Sequence, residues 1–577
     1  MKLKRVLNLL RPYKTQIIFA FVAALVSVGL SLLGPVLIGQ AVDVIIGQNN
    51  VAFQKLISIL IWFAVTLIIS AAAQWLVSLL TNRIVFLATK ELRIAAIEKI
   101  NRTPIRYIDT HAHGDVVNRV VSDITQIGDG LIQGLTQLFT GVVTILGTLC
   151  FMLSINALIA LVVVVMTPLS ILAASFIVRQ TNKYYMSQSE IQGNLTGHLN
   201  EMVQNQKILT TFQCQAGAIH TFEEIDEKLH EIGVKAQLYS SLANPVTRFV
   251  NGLVYTAVAL IGAISAIRGG LSIGQISSFL SYANQYTKPF NEVSGVVGQI
   301  QTAIASANRV FDLLDQPEET DAPEDIMLDN AIIKGDITVE GITFSYTPEQ
   351  SLIEDLSFSV KAGQKVAIVG PTGSGKTTFV NLLMRFYELN AGKILLDGND
   401  IFHIQRNNLR GQFGMVLQDT WLSTGTIAEN IAYGKPDASR EEIIEAAVSA
   451  RAHNFIMRLA KGYDTVISNK DSNLSEGQRQ LLSIARIMLE NPPMLILDEA
   501  TSNIDTRTEQ YIQEAFDKMM EGRTSFVVAH RLSTIESADL ILVLKDGQVV
   551  EQGTHQNLLA EQGFYASLYN SQFAATA

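Results

Sequence analysis

The run Gly370-Pro371-Thr372-Gly373-Ser374-Gly375-Lys376-Thr377-Thr378 has the residue types and spacing of a phosphate-binding loop. Glycines there let the backbone fold around a nucleotide's phosphates and turn its N–H groups toward them. Lys376 can reach the β- and γ-phosphates, and the Thr377 hydroxyl can ligate Mg²⁺. A glycine-rich turn is the plain alternative, and the flanking sequence argues against it. Residues 366–369 are an apolar run that reads as a buried parallel strand, and 378–384 reads as a helix. A helix starting there adds its partial positive charge to the phosphate site.

A second apolar run, 494–497, ends in Asp498-Glu499. Two adjacent acids at a strand end would alone suggest a solvated turn. Beside a phosphate loop, Asp498 can hold Mg²⁺ through its water shell and Glu499 can orient or deprotonate an attacking water. These residues must be positioned by alternating short strands and helices, which begin after residue 320 and predict an α/β domain on a mainly parallel sheet. The acidic, twice proline-interrupted stretch 315–325 reads as the linker before it.

The first half is of another kind. Over the 577 residues only 17% are charged and 48% are hydrophobic, and the apolar excess precedes the linker. Segments 17–38, 56–80, 131–153, 155–178 and 249–267 contain no formal charge and are long enough to cross a bilayer, which takes about 20 apolar residues. Segment 276–300 is a more polar sixth candidate. It carries Tyr282, Asn284, Gln285 and Tyr286, and also Lys288 and Glu292 on one helix face. Such side chains either face a watery cavity or mark where the helix has left the membrane. Residues 1–14 read as a basic interfacial helix. Basic residues concentrate in the connections after 80 and after 178, so the N-terminus, both long connections and the C-terminal half are expected in the cytoplasm. A multi-pass protein of the cell membrane follows. Net charge is −10, and no basic stripe with interleaved aromatics supports nucleic-acid binding. Cys150 and Cys214 make neither a disulfide framework nor a metal site.

Between the two strands of the C-terminal half lies Leu474-Ser475-Glu476-Gly477-Gln478. It resembles the signature motif of ATP-binding cassette (ABC) transporters, and other positions of that family appear in order. Tyr346 falls where an aromatic stacks on adenine, Gln418 in the loop that senses Mg²⁺, Asp505 in the D-loop and His530 at the switch histidine. The resemblance covers essentially the whole chain. It implies a six-span membrane domain with long cytoplasmic helical extensions over 1–320 and a P-loop cassette over 321–577, that is, a half-transporter of the exporter type. It further implies ATP and Mg²⁺ as cofactors, Glu499 and His530 as catalytic groups, and Thr377, Gln418 and Asp498 around the metal. Two cassettes would pair head to tail, so that Ser475, Gly477 and Gln478 of one chain close over ATP on the other. The 107–109 and 114–115 stretch lies where the family places its first coupling segment, and the second is expected near 211–222.

Three departures from the commonest pattern stand out: Glu476 for glycine in the signature, Asn503-Ile504 where Ala-Leu is frequent, and 465–471 without the usual Val-Gly-Glu-Arg-Gly. They resemble the catalytic-glutamate half of heterodimeric exporters, so a related but different partner chain is expected. The alternatives are a homodimeric exporter of lipid or peptide, and a nucleotide-gated channel or regulator. The expected cargo is an amphiphile, drug-like or lipid-like, and membrane lipids are expected partners.

Overall fold

The computed structural model describes residues 2–45, 51–322, 325–328, 333–347, 352–417, 420–468, 474–498, 505–528 and 532–572. They form two compact units, one of Met1–Arg102 and His111–Gln316, the other of Thr103–Thr110 and Pro317–Ala577.

The first unit is helical: α1 (Lys2–Leu9), α2 (Lys14–Ile45), α3 (Phe53–Arg102), and then, beyond a short helix assigned to the other unit, α4 (Ile105–Thr110), come α5 (His113–Asn118), α6 (Ile124–Ile155), α7 (Ala157–Gln204), α8 (Gln206–Thr211), α9 (Gln215–Ile267) and α10 (Ile273–Leu314). The expectation of six spans is met in part. Among the described residues four stretches are long and apolar enough to cross a membrane, Arg11–Ile45, Phe53–Arg102, His113–Ile155 and Arg248–Ile267, while Ala157–Pro168, the start of α7, is a shorter apolar stretch. α10 falls short because of the polar residues noted above.

Lipid cannot drive helices together by hydrophobic burial, so contact falls to small residues and interhelical hydrogen bonds. Ser27 on α2 donates to the Ser70 carbonyl on α3 at 3.0 Å, and Ser70 returns a bond to the Ser27 carbonyl at 2.9 Å. α2 and α10 touch through glycines: a Cβ on Gly274 would sit 2.0 Å from the Gly39 carbonyl oxygen. Asp43 fixes the same end of the pair, accepting from the Ser272 hydroxyl and the Gly274 N–H, each at 2.7 Å. The opposite faces stay apolar and bare, with Trp62 64%, Ile68 69% and Trp75 68% exposed, as lipid-facing side chains must be. On α1 Val6 is buried, as is Leu10 just past its end, and Arg5 forks onto the Asp315 carboxylate at 2.6 and 2.9 Å.

The second unit is an α/β domain. Its strands are β1 (Ile337–Phe344), β2 (Ile353–Val360), β3 (Lys365–Val369), β4 (Ala391–Leu396), β5 (Asn399–Asp400), β6 (Phe413–Val416), β7 (Gly425–Thr426), β8 (Val466–Ile467), β9 (Met494–Asp498), β10 (Thr524–Val528), β11 (Leu540–Lys545) and β12 (Gln548–Gly553). A six-stranded sheet has the order β12-β11-β3-β10-β9-β6, a smaller sheet the order β2-β1-β4-β5, and β7 pairs with β8. In the large sheet β6, β9, β10, β3 and β11 run parallel. Parallel strands covered by helices on both faces read as unbroken apolar runs, and β10 is buried at every position. The β1–β2 pair is antiparallel, and burial along β2 roughly alternates.

Candidate nucleotide-binding and hydrolysis site

β3 ends at Val369, and the chain turns through Gly370–Gly375 into a helix over Lys376–Leu383. Gly373 and Gly375 have φ of +82° and +98°, the left-handed region that a side chain makes costly. Gly370 is held by space instead, since a Cβ there would lie 2.2 Å from the Leu544 carbonyl oxygen on β11. The loop therefore closes over the end of the sheet, at the N-terminus of a helix, where unpaired N–H groups favour an anion.

A cavity of about 280 Å³ opens here, and its walls include Gly373, Lys376, Thr377, Thr378 and Asp498. Lys376 Nζ donates to the carbonyls of Gly370 at 2.8 Å and Pro371 at 2.9 Å. Burial lowers its pKa, and the Asp498 carboxylate opposes that shift. The buried Ser374 hydroxyl has no hydrogen-bond partner among the described residues.

Asp498 reaches this cavity because of strand register. It stands opposite Val528 of β10, and Val528 stands opposite Ile368 of β3. Two strand spacings, roughly 10 Å, thus separate the carboxylate's backbone from the loop. Thr377 and Asp498 are the residues that would hold Mg²⁺ there, and the cation would neutralise charge on a nucleotide's phosphates. A cationic lysine, a hydroxyl, a carboxylate and a nest of N–H groups are the donor set that Mg²⁺ and a nucleotide's phosphates require.

The other expected site residues divide into four groups. Gln418, Glu499 and His530 lie outside the described residues. Ser475, Gly477 and Gln478 are absent from the walls of the phosphate cavity. Ser475 instead caps the helix Glu476–Glu490, its hydroxyl accepting from the Gln478 N–H at 3.3 Å while Gln478 Oε1 accepts from the Ser475 N–H at 3.0 Å. Asp505 caps the helix Thr506–Met520, accepting from the Thr508 N–H at 3.0 Å. Tyr346 lies just beyond β1, edge-on to Phe344 and Tyr387 at 5.0 Å each, with its hydroxyl 3.4 Å from Thr378 Oγ1. It lines a neighbouring cavity of about 480 Å³ with Arg106 and Tyr387.

Tyr387 escaped sequence reasoning. Its hydroxyl donates to Asp109 of α4, and burial followed by that bond pushes the phenol's pKa up. Arg106 of the same helix donates to the Tyr346 carbonyl at 3.1 Å. No local signal joins residues so distant in sequence; only the resemblance pointed to the 107–109 stretch.

Family models agree with this division: the ABC transporter transmembrane region matches residues 17–290 and the ABC transporter model residues 353–502. A fatty acid ABC transporter ATP-binding/permease protein of Mycobacterium bovis is 41% identical over 527 residues, covering 91% of this chain and 82% of that protein. The chain belongs to the ABC transporter family. A Bacillus subtilis protein named for multidrug export is 34% identical across 99% of each chain. A solved bacterial Atm1-family ABC exporter with ATP bound superposes with a TM-score of 0.81 at 28% identity, covering 98% of this chain and 99% of that one. The cassette makes the ABC transporter an ATP hydrolase coupled to transport, dependent on ATP and Mg²⁺.

One expectation is corrected by these findings. The departures in the cassette suggested half of an unequal pair with a different partner chain. A solved structure that the ABC transporter matches over 98% of its chain is instead an Atm1-family exporter. Glu476 also has a local explanation: it is exposed in the first turn of its helix, where the helix dipole favours a carboxylate. It therefore gives no sign of a damaged site.

Proposed function

We propose that two copies of this chain form an exporter that moves lipid-like amphiphiles across the cell membrane as their cassettes close on ATP and reopen after hydrolysis. The observation that carries the pairing is the make-up of the phosphate cavity. It gathers Lys376, Thr377 and Asp498 but none of Ser475, Gly477 or Gln478, so a second cassette must supply the signature. Apolar side chains around the α8 turn point the same way: Val203, Phe212 and Ile219 are 72%, 73% and 50% exposed in one copy. An identical second chain would cover them. We assign residues 1–320 to a six-span membrane domain and 321–577 to the cassette, both termini cytoplasmic, an orientation supported by the distribution of Lys and Arg.

The roles in hydrolysis are those the resemblance implies. The loop N–H groups and Lys376 would hold the phosphates, Thr377, Asp498 and Gln418 would hold the metal, Glu499 would take a proton from water, and His530 would serve as the switch histidine. The amphiphile reading draws on the apolar membrane helices and on relatives named for fatty acid transport and multidrug export. Both cargo classes join an apolar body to a polar group. In proteoliposomes, a fluorescent long-chain fatty acid should move against its gradient only with Mg²⁺ and ATP, and Glu499→Gln or Lys376→Ala should stop it. Equilibration down the gradient on ATP binding alone would show a gated channel instead.

A further inference from the structure

α9 and α10 meet at the turn after Ile267 and run side by side from it. Below the turn, a cavity of about 350 Å³ opens between them, lined by Arg248, Asn251 and Tyr255 of α9 and by Ala283, Asn284 and Thr287 of α10. The α9 residues recur at helical spacing, as do those of α10, so two polar stripes share one hollow. At about 1.5 Å per residue the stripes lie roughly 16 to 29 Å from the turn, within a hydrocarbon core about 30 Å thick and in the half farther from the turn.

Polar groups at that depth need a reason. Arg248 opens a segment apolar enough to cross the membrane, yet it has no ion pair or hydrogen bond among the described residues. Asn251 Oδ1 is buried and unpartnered among them as well. Thr287 is satisfied by its own helix, donating to the Asn284 carbonyl at 3.1 Å. Among the described residues no carboxylate lines the hollow. Its free capacity is therefore a guanidinium fork and two side-chain amides, a set that recognises a carboxylate or phosphate and repels a cation. The hollow adjoins the apolar cluster of Val254, Val258, Phe279 and Tyr282, which offers a surface for a hydrocarbon tail.

We infer that this hollow is the head-group site for the cargo, and that the cargo is an anionic amphiphile, with Arg248 paired to its carboxylate or phosphate and the amides of Asn251 and Asn284 completing the contact. The inference rests on the amphiphile reading above and adds the sign of the head group and the residues that read it. With the turn outside, the site lies at the inner leaflet, where such a molecule would enter.

The test is binding of four twelve-carbon probes, dodecanoate, dodecyl phosphate, dodecanol and dodecylammonium, to the dimer in nanodiscs, each corrected for protein-free nanodiscs. Dodecanoate and dodecyl phosphate should bind at least about tenfold more tightly than the other two, the worth of one charge-assisted contact. Arg248→Gln should erase that preference. Arg248→Lys should keep most of it, which separates loss of charge from loss of fold. Acetate and inorganic phosphate should not compete at the same concentrations; if they did, the site would be one for free anions and the inference would fall. Equal binding of all four probes, or a preference that survives Arg248→Gln, would overturn the head-group assignment and leave the amphiphile reading standing. If none bound, both would fall.

Discussion

Asp123 and Arg309 form an ion pair whose two halves are unequally buried, and the inequality sets the result of removing either. Arg309 Nε donates to Asp123 Oδ2 at 2.7 Å and its Nη2 to Oδ1. The aspartate side chain is 1% exposed and the arginine 44%. Asp123 ends a π-helical turn, Arg119–Asp123, ahead of α6, and the pair ties that turn to α10. Arg309→Ala strands a carboxylate away from water, at a cost of about 3 kcal/mol. Asp123→Ala leaves a guanidinium that water already reaches, and costs about 1 kcal/mol. For a helical unit of about 300 residues each kcal/mol moves the midpoint by about 1 to 2 °C. The midpoint of thermal unfolding followed by tryptophan fluorescence, which Trp62 and Trp75 confine largely to this unit, should therefore fall by about 3 to 6 °C for Arg309→Ala and about 1 to 2 °C for Asp123→Ala. The double alanine variant should resemble Asp123→Ala. If Asp123→Ala were as damaging as Arg309→Ala, buried charge would not be the cause and the reasoning would fail.

Other outcomes follow from single contacts. Tyr387→Phe removes the bond to Asp109 while leaving the phosphate loop untouched, so ATP should still bind and cargo should stimulate hydrolysis less; unchanged stimulation would deny α4 a coupling role. The Asp505 carboxylate is held below its usual 3.8, first by the Thr508 N–H, so its contribution is present above that pH and is lost as pH falls through the lowered value. Asp505→Ala should lower the thermal midpoint at pH 7 and Asp505→Asn, which keeps an acceptor, should lower it less; equal losses would contradict the capping role. A membrane-impermeant thiol reagent should label Arg268→Cys but not His113→Cys in intact cells, and the reverse pattern would invert the topology.

The phosphate loop and the Asp498 strand were legible because each is local: glycine spacing fixes one and an apolar run ending in acid fixes the other. That β10 would lie between them was not, since it comes from 524–528 and strand order depends on packing, not on neighbours in sequence. The helices also outrun the apolar spans, as the expected helical extensions require. α3 runs on to Arg102 and α7 to Gln204, because helix formation does not stop where the apolar run does. Tyr346 was expected at adenine, and its edge-on contact with Tyr387 joins residues that no motif links. Asp505 and Ser475 read as site residues, and their geometry here is also that of ordinary helix caps. Glu476 misled most: a substitution in a motif suggested an unequal partner, when its place in the first turn of a helix accounts for it.

The central claim is that two identical chains complete two ATP sites. Its most direct test is the native mass of the chain expressed alone as Glu499→Gln, with Mg²⁺ and ATP present. The account requires a particle of two chains with two nucleotides held. A monomer, or a dimer that holds nucleotide only when a different chain is supplied, would contradict it.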